Sequence, residues 1–155
     1  MYRRLPFVLC FLAVAIAPPV ADAQLSRGLE GEGGLLALEN GRGTAIVVSR
    51  DGAMLGTVAR GRIAIVDLPR GERTTVELSG CERRHRYRRT VVCSGRDLSF
   101  SVYEGRWRAT LVGSGINASA VIEGSVTLKG TGGTFKLGEA DARRWPRLAR
   151  TFRLG

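Results

Sequence analysis

The chain has little of the usual vocabulary of catalysis. Its 155 residues include one histidine, three cysteines and two methionines. A Ser-His-acid triad needs its histidine beside a nucleophile and an orienting acid, and no nucleophile-elbow sequence accompanies His85. Two mature cysteines and one histidine are too few for a structural zinc site. No metal or cofactor is therefore expected. The carboxylates Glu77, Asp97, Glu104 and Glu123 are scattered in a way that singles out no glycosidase pair. Asp51, Asp67 and Glu82 read as partners for neighbouring arginines. Beyond residue 24 no apolar run approaches the roughly 20 residues a membrane-spanning helix needs. A catalytic role is not expected.

What is present begins with a secretory leader. Arg3 and Arg4 form a positive start, and Leu5 to Ala17 is an apolar run interrupted by Pro6 and Cys10. Pro18 and Pro19 break it. Ala21-Asp22-Ala23 then offers small residues to signal peptidase, placing the cut before Gln24. The run is too short for an uncleaved anchor. Cys10 lies inside the apolar stretch after bulky Leu9, which argues against lipidation. The expected organisation is a cleaved signal peptide over 1–23, a flexible glycine-rich segment over 24–34 and one domain over 35–155. The expected compartment is periplasm, cell envelope or extracellular space, in a bacterium.

Cys81 and Cys93 remain after cleavage. In an oxidising compartment they read as a disulfide, worth about 3 kcal/mol for a loop of that length. Their spacing is unlike the C-x-x-C of redox enzymes. Loss of Arg3, Arg4 and Asp22 takes the formal charge from +10 to +9. The cations are arginines apart from Lys129 and Lys136. Arginine grips carboxylates, sulfates and phosphates in two-pronged fashion, and a field of this sign favours anionic partners.

The pattern along the chain is β. Short alternating or β-branched runs are punctuated by glycine: 35–38, 44–48, 54–58, 62–66, 74–78, 90–92, 98–103, 107–112, 120–122, 126–128, 134–137 and 151–154. This predicts an all-β fold, an antiparallel sandwich or barrel-like domain of about a dozen short strands, with a β-solenoid as the further option. Arg50-Asp51-Gly52 and Arg70-Gly71-Glu72 read as hairpin turns. Ala140–Arg150 is the one stretch that could form a helical turn, limited by Pro146. Gly113-Ser114-Gly115-Ile116-Asn117-Ala118 has dinucleotide-loop spacing but lacks the helix and the later acid, so it reads as a bend between strands.

Internal echoes accompany the pattern. Gly41–Val48 aligns with Gly105–Val112, and Leu55–Ile65 with Ser119–Leu128 once a residue is dropped, which suggests an internal duplication. Gly133–Gly138 echoes Arg150–Gly155, implying that the last strand is packed. In its Gly-Arg-Gly opening strand, its Gly61-Arg62-Ile63-Ala64-Ile65-Val66-Asp67 strand and its terminal Phe152-Arg153-Leu154-Gly155, the chain resembles small exported β-rich proteins of GC-rich bacteria. That resemblance implies a compartment and fold class but no activity.

One local feature stands out. Arg83, Arg84, Arg86, Arg88 and Arg89 lie with His85 and Tyr87 between the two cysteines. Crowded arginines repel unless solvated or given an anion. A disulfide would hold them on a pre-shaped hairpin, with Tyr87 able to stack on a sugar or base. The binding residues expected are Arg83, Arg84, Arg86, Tyr87, Arg88 and Arg89; the plainer reading is a solvated tip that deters edge pairing. A second basic stretch, Arg143–Arg150, carries Trp145 and Leu148, read as a plug over one end of the core. The expected function is a non-catalytic exported domain binding an anionic polysaccharide, lipid phosphate or acidic protein; nucleic acid is less favoured. The alternatives are a structural subunit of the cell envelope and a cell-wall polymer hydrolase.

Overall fold

The computed structural model describes residues 34–155; the predicted signal peptide and residues 24–33 of the predicted flexible segment lie outside the described residues. The described chain is all-β. The strands are β1 (Gly34–Asp67), β2 (Thr75–Tyr87), β3 (Thr90–Tyr103), β4 (Trp107–Leu137), β5 (Arg143–Arg144) and β6 (Arg150–Leu154). They form one antiparallel sheet in the order β2-β3-β1-β4-β5, with β6 also on β4. Its two edges stay unpaired with each other, so it does not close into a barrel.

All twelve predicted runs lie in strands save for Thr74, just ahead of β2, but glycine joins them more often than it separates them. β1 is 34 residues long and β4 is 31. Straight, β1 would exceed about 100 Å. The register rules that out. Ser49 pairs with Trp107 while Gly52 pairs with Ile122, so the two ends of the first half of β4 meet, although extended they would stand roughly 50 Å apart. The Trp107 indole N–H indeed donates to the Gly52 carbonyl at 3.4 Å. β1 and β4 therefore wind around each other as an antiparallel ribbon. Val47 pairs with both Ala109 and Val126, and Ala109 in turn pairs with Ile65, 18 residues beyond Val47 (47 to 65). One circuit of the ribbon thus takes about that many residues.

Each circuit has two straight walls and two corners. The first wall holds 34–40, 52–58, 75–79, 98–103, 116–122 and 133–137. The second holds 44–49, 62–67, 81–87, 90–94, 107–112, 124–129 and 150–154. At one corner a row of mutually paired glycines crosses the sheet: Gly95 with Gly61, Gly61 with Gly113, Gly113 with Gly43, and Gly43 with Gly130. A Cβ on Gly113 (φ 151°) would meet the Arg60 carbonyl oxygen well inside contact distance, so the bend needs bare backbone there.

The same corner reverses the alternation of the strands. In β1 the buried positions are Leu36 and Leu38 before it and Ala45 and Val47 after; in β4 they are Leu111 before and Ile116 after. Left-handed residues accompany the change, among them Asn40 (φ 50°), Asp97 (φ 49°) and Gly115 (φ 62°). Without this slip every side chain past the bend would face the wrong side. With it, both walls send their apolar residues into one core, where Trp107, Ile63, Leu98, Leu111, Ile122 and Leu128 are fully buried. Phe135 of the first wall and Phe152 of the second meet across it, ring centroids 5.0 Å apart.

Three local expectations are corrected. Arg50-Asp51-Gly52 is no hairpin turn: the strand runs on, and the segments either side lie on different walls, each paired with β4 and not with the other. Residues 140–150 form no helical turn; they carry β5 and an irregular edge. Leu148 is 79 % exposed, whereas Trp145 is buried as expected, its indole N–H donating to the Thr134 carbonyl at 3.0 Å. The indole fills the space that side chains on Gly41 and Gly130 would need. The terminal strand is packed as expected, with Leu154 buried on β4. The echoed segments Thr44–Val48 and Arg108–Val112 pair with each other antiparallel, so they are neighbours within one wall.

Candidate anion-binding surface

β2 and β3 form an antiparallel hairpin whose last pair is Tyr87 and Thr90. The turn is Arg88-Arg89, and Arg88 takes a left-handed φ of 49° without being glycine. The Arg88 guanidinium lies over the Tyr87 ring, 5.3 Å from its centroid, and Tyr87 itself is 69 % exposed. At the base, Cys81 and Cys93 are bonded, their Cα atoms 5.3 Å apart. Cys93 is fully buried in the core, so the bridge ties edge strand β2 to the interior.

The hairpin sorts its arginines onto different surfaces. Arg84 and Arg86 pair with the buried Cys93 and Val91, so they occupy inward-facing positions of the second wall, exposed only because β2 is its edge. Arg83, His85 and Tyr87 pair with Ser94, Val92 and Thr90 and face outward. Arg88 and Arg89 form the tip. The six predicted binding residues are thus close in sequence but do not converge on one point.

Part of the set does converge, at the open β2 end of the core. Arg86, Arg88 and Arg89 border a cleft of about 320 Å³ together with Arg73 of the β1–β2 connection. Its apolar lining includes Ile65, Val76 and Val91. Asp67 and Glu72 supply its carboxylates. The rim is held by backbone: the Asp67 N–H donates to the Arg89 carbonyl at 2.8 Å, and the Leu68 N–H to the Arg106 carbonyl at 2.7 Å. The Thr74 hydroxyl donates to the Asp67 carboxylate at 3.1 Å. Arg73 was not singled out from the sequence. Nothing near it in the chain distinguishes it from any other loop arginine.

Among the described residues the ion pair is Arg50–Glu123, at the corner opposite the glycine row; no hairpin arginine has a carboxylate at ion-pair distance. The expected local pairing of arginines with Asp51, Asp67 and Glu82 is therefore corrected. Asp51 accepts instead from the Gly52 N–H at 2.8 Å, and Asp67 from Thr74. Acids gather on the outer face of the first wall, where Glu77 accepts from Ser101 and Glu104 from Thr75. Between them the Tyr103 phenol is raised above its ordinary 10.0, first by the Glu77 carboxylate, then by burial and by Glu104. Among the described residues no group of three or more His, Cys, Asp or Glu could hold a metal ion, and no helix is long and apolar enough to cross a membrane. No protein family, curated protein or solved structure matches the chain.

Proposed function

We propose that this is an exported, non-catalytic β domain that binds an anionic partner through the disulfide-tied hairpin Cys81–Cys93. The observation carrying this reading is the set of hairpin arginines with no carboxylate at ion-pair distance, three of them bordering one cleft. Like charges held this close repel, and an anion relieves that repulsion. The hairpin is already ordered by its bridge and ladder, so little conformational freedom is lost on binding. An anionic polysaccharide, a lipid phosphate or an acidic protein would each supply the chemistry. The compartment follows from the leader, and likeness to small exported proteins of GC-rich bacteria agrees with it.

The test is a heparin or polyphosphate column developed with salt. Such binding weakens steeply as salt rises. A variant with Arg84, Arg86 and Arg88 changed to serine should elute much earlier than wild type. Unchanged elution refutes the role of the hairpin.

One observation supports a second reading, a cell-wall polymer hydrolase: Asp67 and Glu72 border the same cleft. Turnover of peptidoglycan or acidic glycan that disappears in Glu72→Gln would favour it. Assembly into an envelope structure has less support. Both free edges carry arginines, Arg84 and Arg86 on β2 and Arg150 and Arg153 on β6, and like charges opposed across a ladder are unfavourable. Light scattering showing a concentration-independent monomer would exclude assembly.

A further inference from the structure

The two outer faces of the folded sheet differ in charge. Because the corner reverses the alternation, residues that look unrelated in sequence share the outer face of the second wall. Arg83 pairs with Ser94, Ser94 with Arg62, Arg62 with Val112, Val112 with Thr44, and Thr44 with Lys129. Four residues further along the strands, Val66 pairs with Arg108, Arg108 with Val48, Val48 with Ser125, and Ser125 with Arg153. Between these rows lie Val92, Ala64, Thr110, Ile46 and Thr127, all short or β-branched. The 127 and 151 hydroxyls bond at 2.8 Å, which confirms their shared face. Apart from Glu82, exposed beside Arg83 at the bulged β2 edge, no aspartate or glutamate occupies an outward position of this wall, while Glu39 and Glu77 lie on the other.

From strand spacing, this face measures roughly 30 Å across the strands and about 15–20 Å along them, with neighbouring cations about 10–15 Å apart. At the glycine corner it continues into Arg60 and Arg96, which sit directly opposite each other in the ladder. Like charges in that position are unfavourable unless an anion lies between or above them. The cations are long and the residues between them short, so the guanidinium groups stand above an even floor.

We infer that this face is a docking plane for an anionic lipid bilayer surface. The inference rests on the proposed reading only in taking the partner to be anionic; it uses a different surface from the cleft. A flexible linear polyanion could follow one row and meet three cations. A charged plane meets both rows and the corner at once, and the two-dimensional spread of the cations matches that geometry. Tyr87, exposed at the margin of the face, is the residue type found at membrane interfaces. Each cation near such a surface contributes about a five-fold gain in partitioning.

The test is sedimentation of the protein with vesicles of phosphatidylcholine alone, or of phosphatidylcholine with one quarter phosphatidylglycerol. Wild type should bind only the anionic vesicles, less so at high salt. Changing Arg62, Arg108 and Arg153 to serine should lower partitioning roughly 100-fold. Changing the same three to lysine should preserve most of it, which separates charge from fold. The variant at Arg84, Arg86 and Arg88 should lose at least ten-fold less vesicle binding than the face variant. Equal losses, or wild type binding both vesicles alike, overturn the inference. So does a face variant that loses retention on heparin but keeps its vesicle binding, because the face then serves a linear polyanion. If only the heparin behaviour of the hairpin variant is unchanged, the hairpin reading fails and the docking plane stands.

Discussion

Replacing Gly113 by alanine tests the folded ribbon at its tightest point. Gly113 has φ 151°, a region that L side chains rarely adopt, and its new Cβ would collide with the Arg60 carbonyl oxygen of the neighbouring strand. The strained backbone conformation costs about 1–3 kcal/mol. Moving β1 away from β4 to clear the carbonyl loses at least one ladder hydrogen bond, about 1 kcal/mol more. The expected destabilisation is about 2–4 kcal/mol, a large share of the 5–15 kcal/mol typical of a folded domain. Two other glycines separate the contributions. Gly138 has φ 56° with nothing within 4 Å of an added Cβ, so Gly138→Ala carries backbone strain alone, about 1 kcal/mol. Gly132 has its nearest neighbour, the Arg42 Cβ, at 3.7 Å and needs no left-handed backbone, so Gly132→Ala should stay within about 0.5 kcal/mol of wild type or stabilise slightly. Urea unfolding followed by fluorescence of the buried Trp107 and Trp145 measures all three. If Gly113→Ala is as stable as wild type, or Gly132→Ala suffers as much, the glycine row does not set the corner.

Reducing the Cys81–Cys93 bridge, or replacing both cysteines by serine, should destabilise by about 3 kcal/mol and free the β2 edge, seen as faster amide exchange over 81–87 than over 107–112. Trp145→Ala should cost about 3–5 kcal/mol because it empties the corner over Gly41 and Gly130, whereas Leu148→Ser should be silent in the same melt. The Tyr103 phenol should titrate above 10.0 by ultraviolet absorbance, and Glu77→Gln should bring it back down. Because the folded value is the raised one, the neutral phenol favours the fold; that contribution is complete below pH 10 and fades as pH climbs through the raised value.

The strands were legible because period-two alternation survives within each wall. Leu98, Phe100 and Val102, alternating with Ser99 and Ser101, show it plainly and are buried. What local pattern could not carry was the meaning of the glycines. Gly43, Gly61 and Gly113 look like strand ends, yet they bend strands that continue, since their ladder partners are supplied from far along the chain, as Gly113 and Gly130 are to Gly43. Arg50-Asp51-Gly52 looked like a turn because its composition fits one; the ribbon uses it as a second corner instead. The arginine hairpin was legible from composition and its bridge from cysteine count. The basic face was not. Arg62, Arg108, Lys129 and Arg153 are distant in sequence, and only the slip in alternation at each bend brings them to one side. A signal did exist, since each is flanked by a residue that proves buried, namely Ile63, Trp107, Leu128 and Leu154.

The wound ribbon also fixes when folding can begin. Gly34 finds its partner at Ile122 and Leu36 its second partner at Leu137, so no N-terminal fragment contains a complete neighbourhood for even its first strand. A nascent chain must wait until residue 137 is free before the innermost strands can close, and contacts so far apart form slowly. During that wait the apolar half of β1 has nothing of its own to cover it, and whatever handles the emerging polypeptide must keep it from sticking to its neighbours.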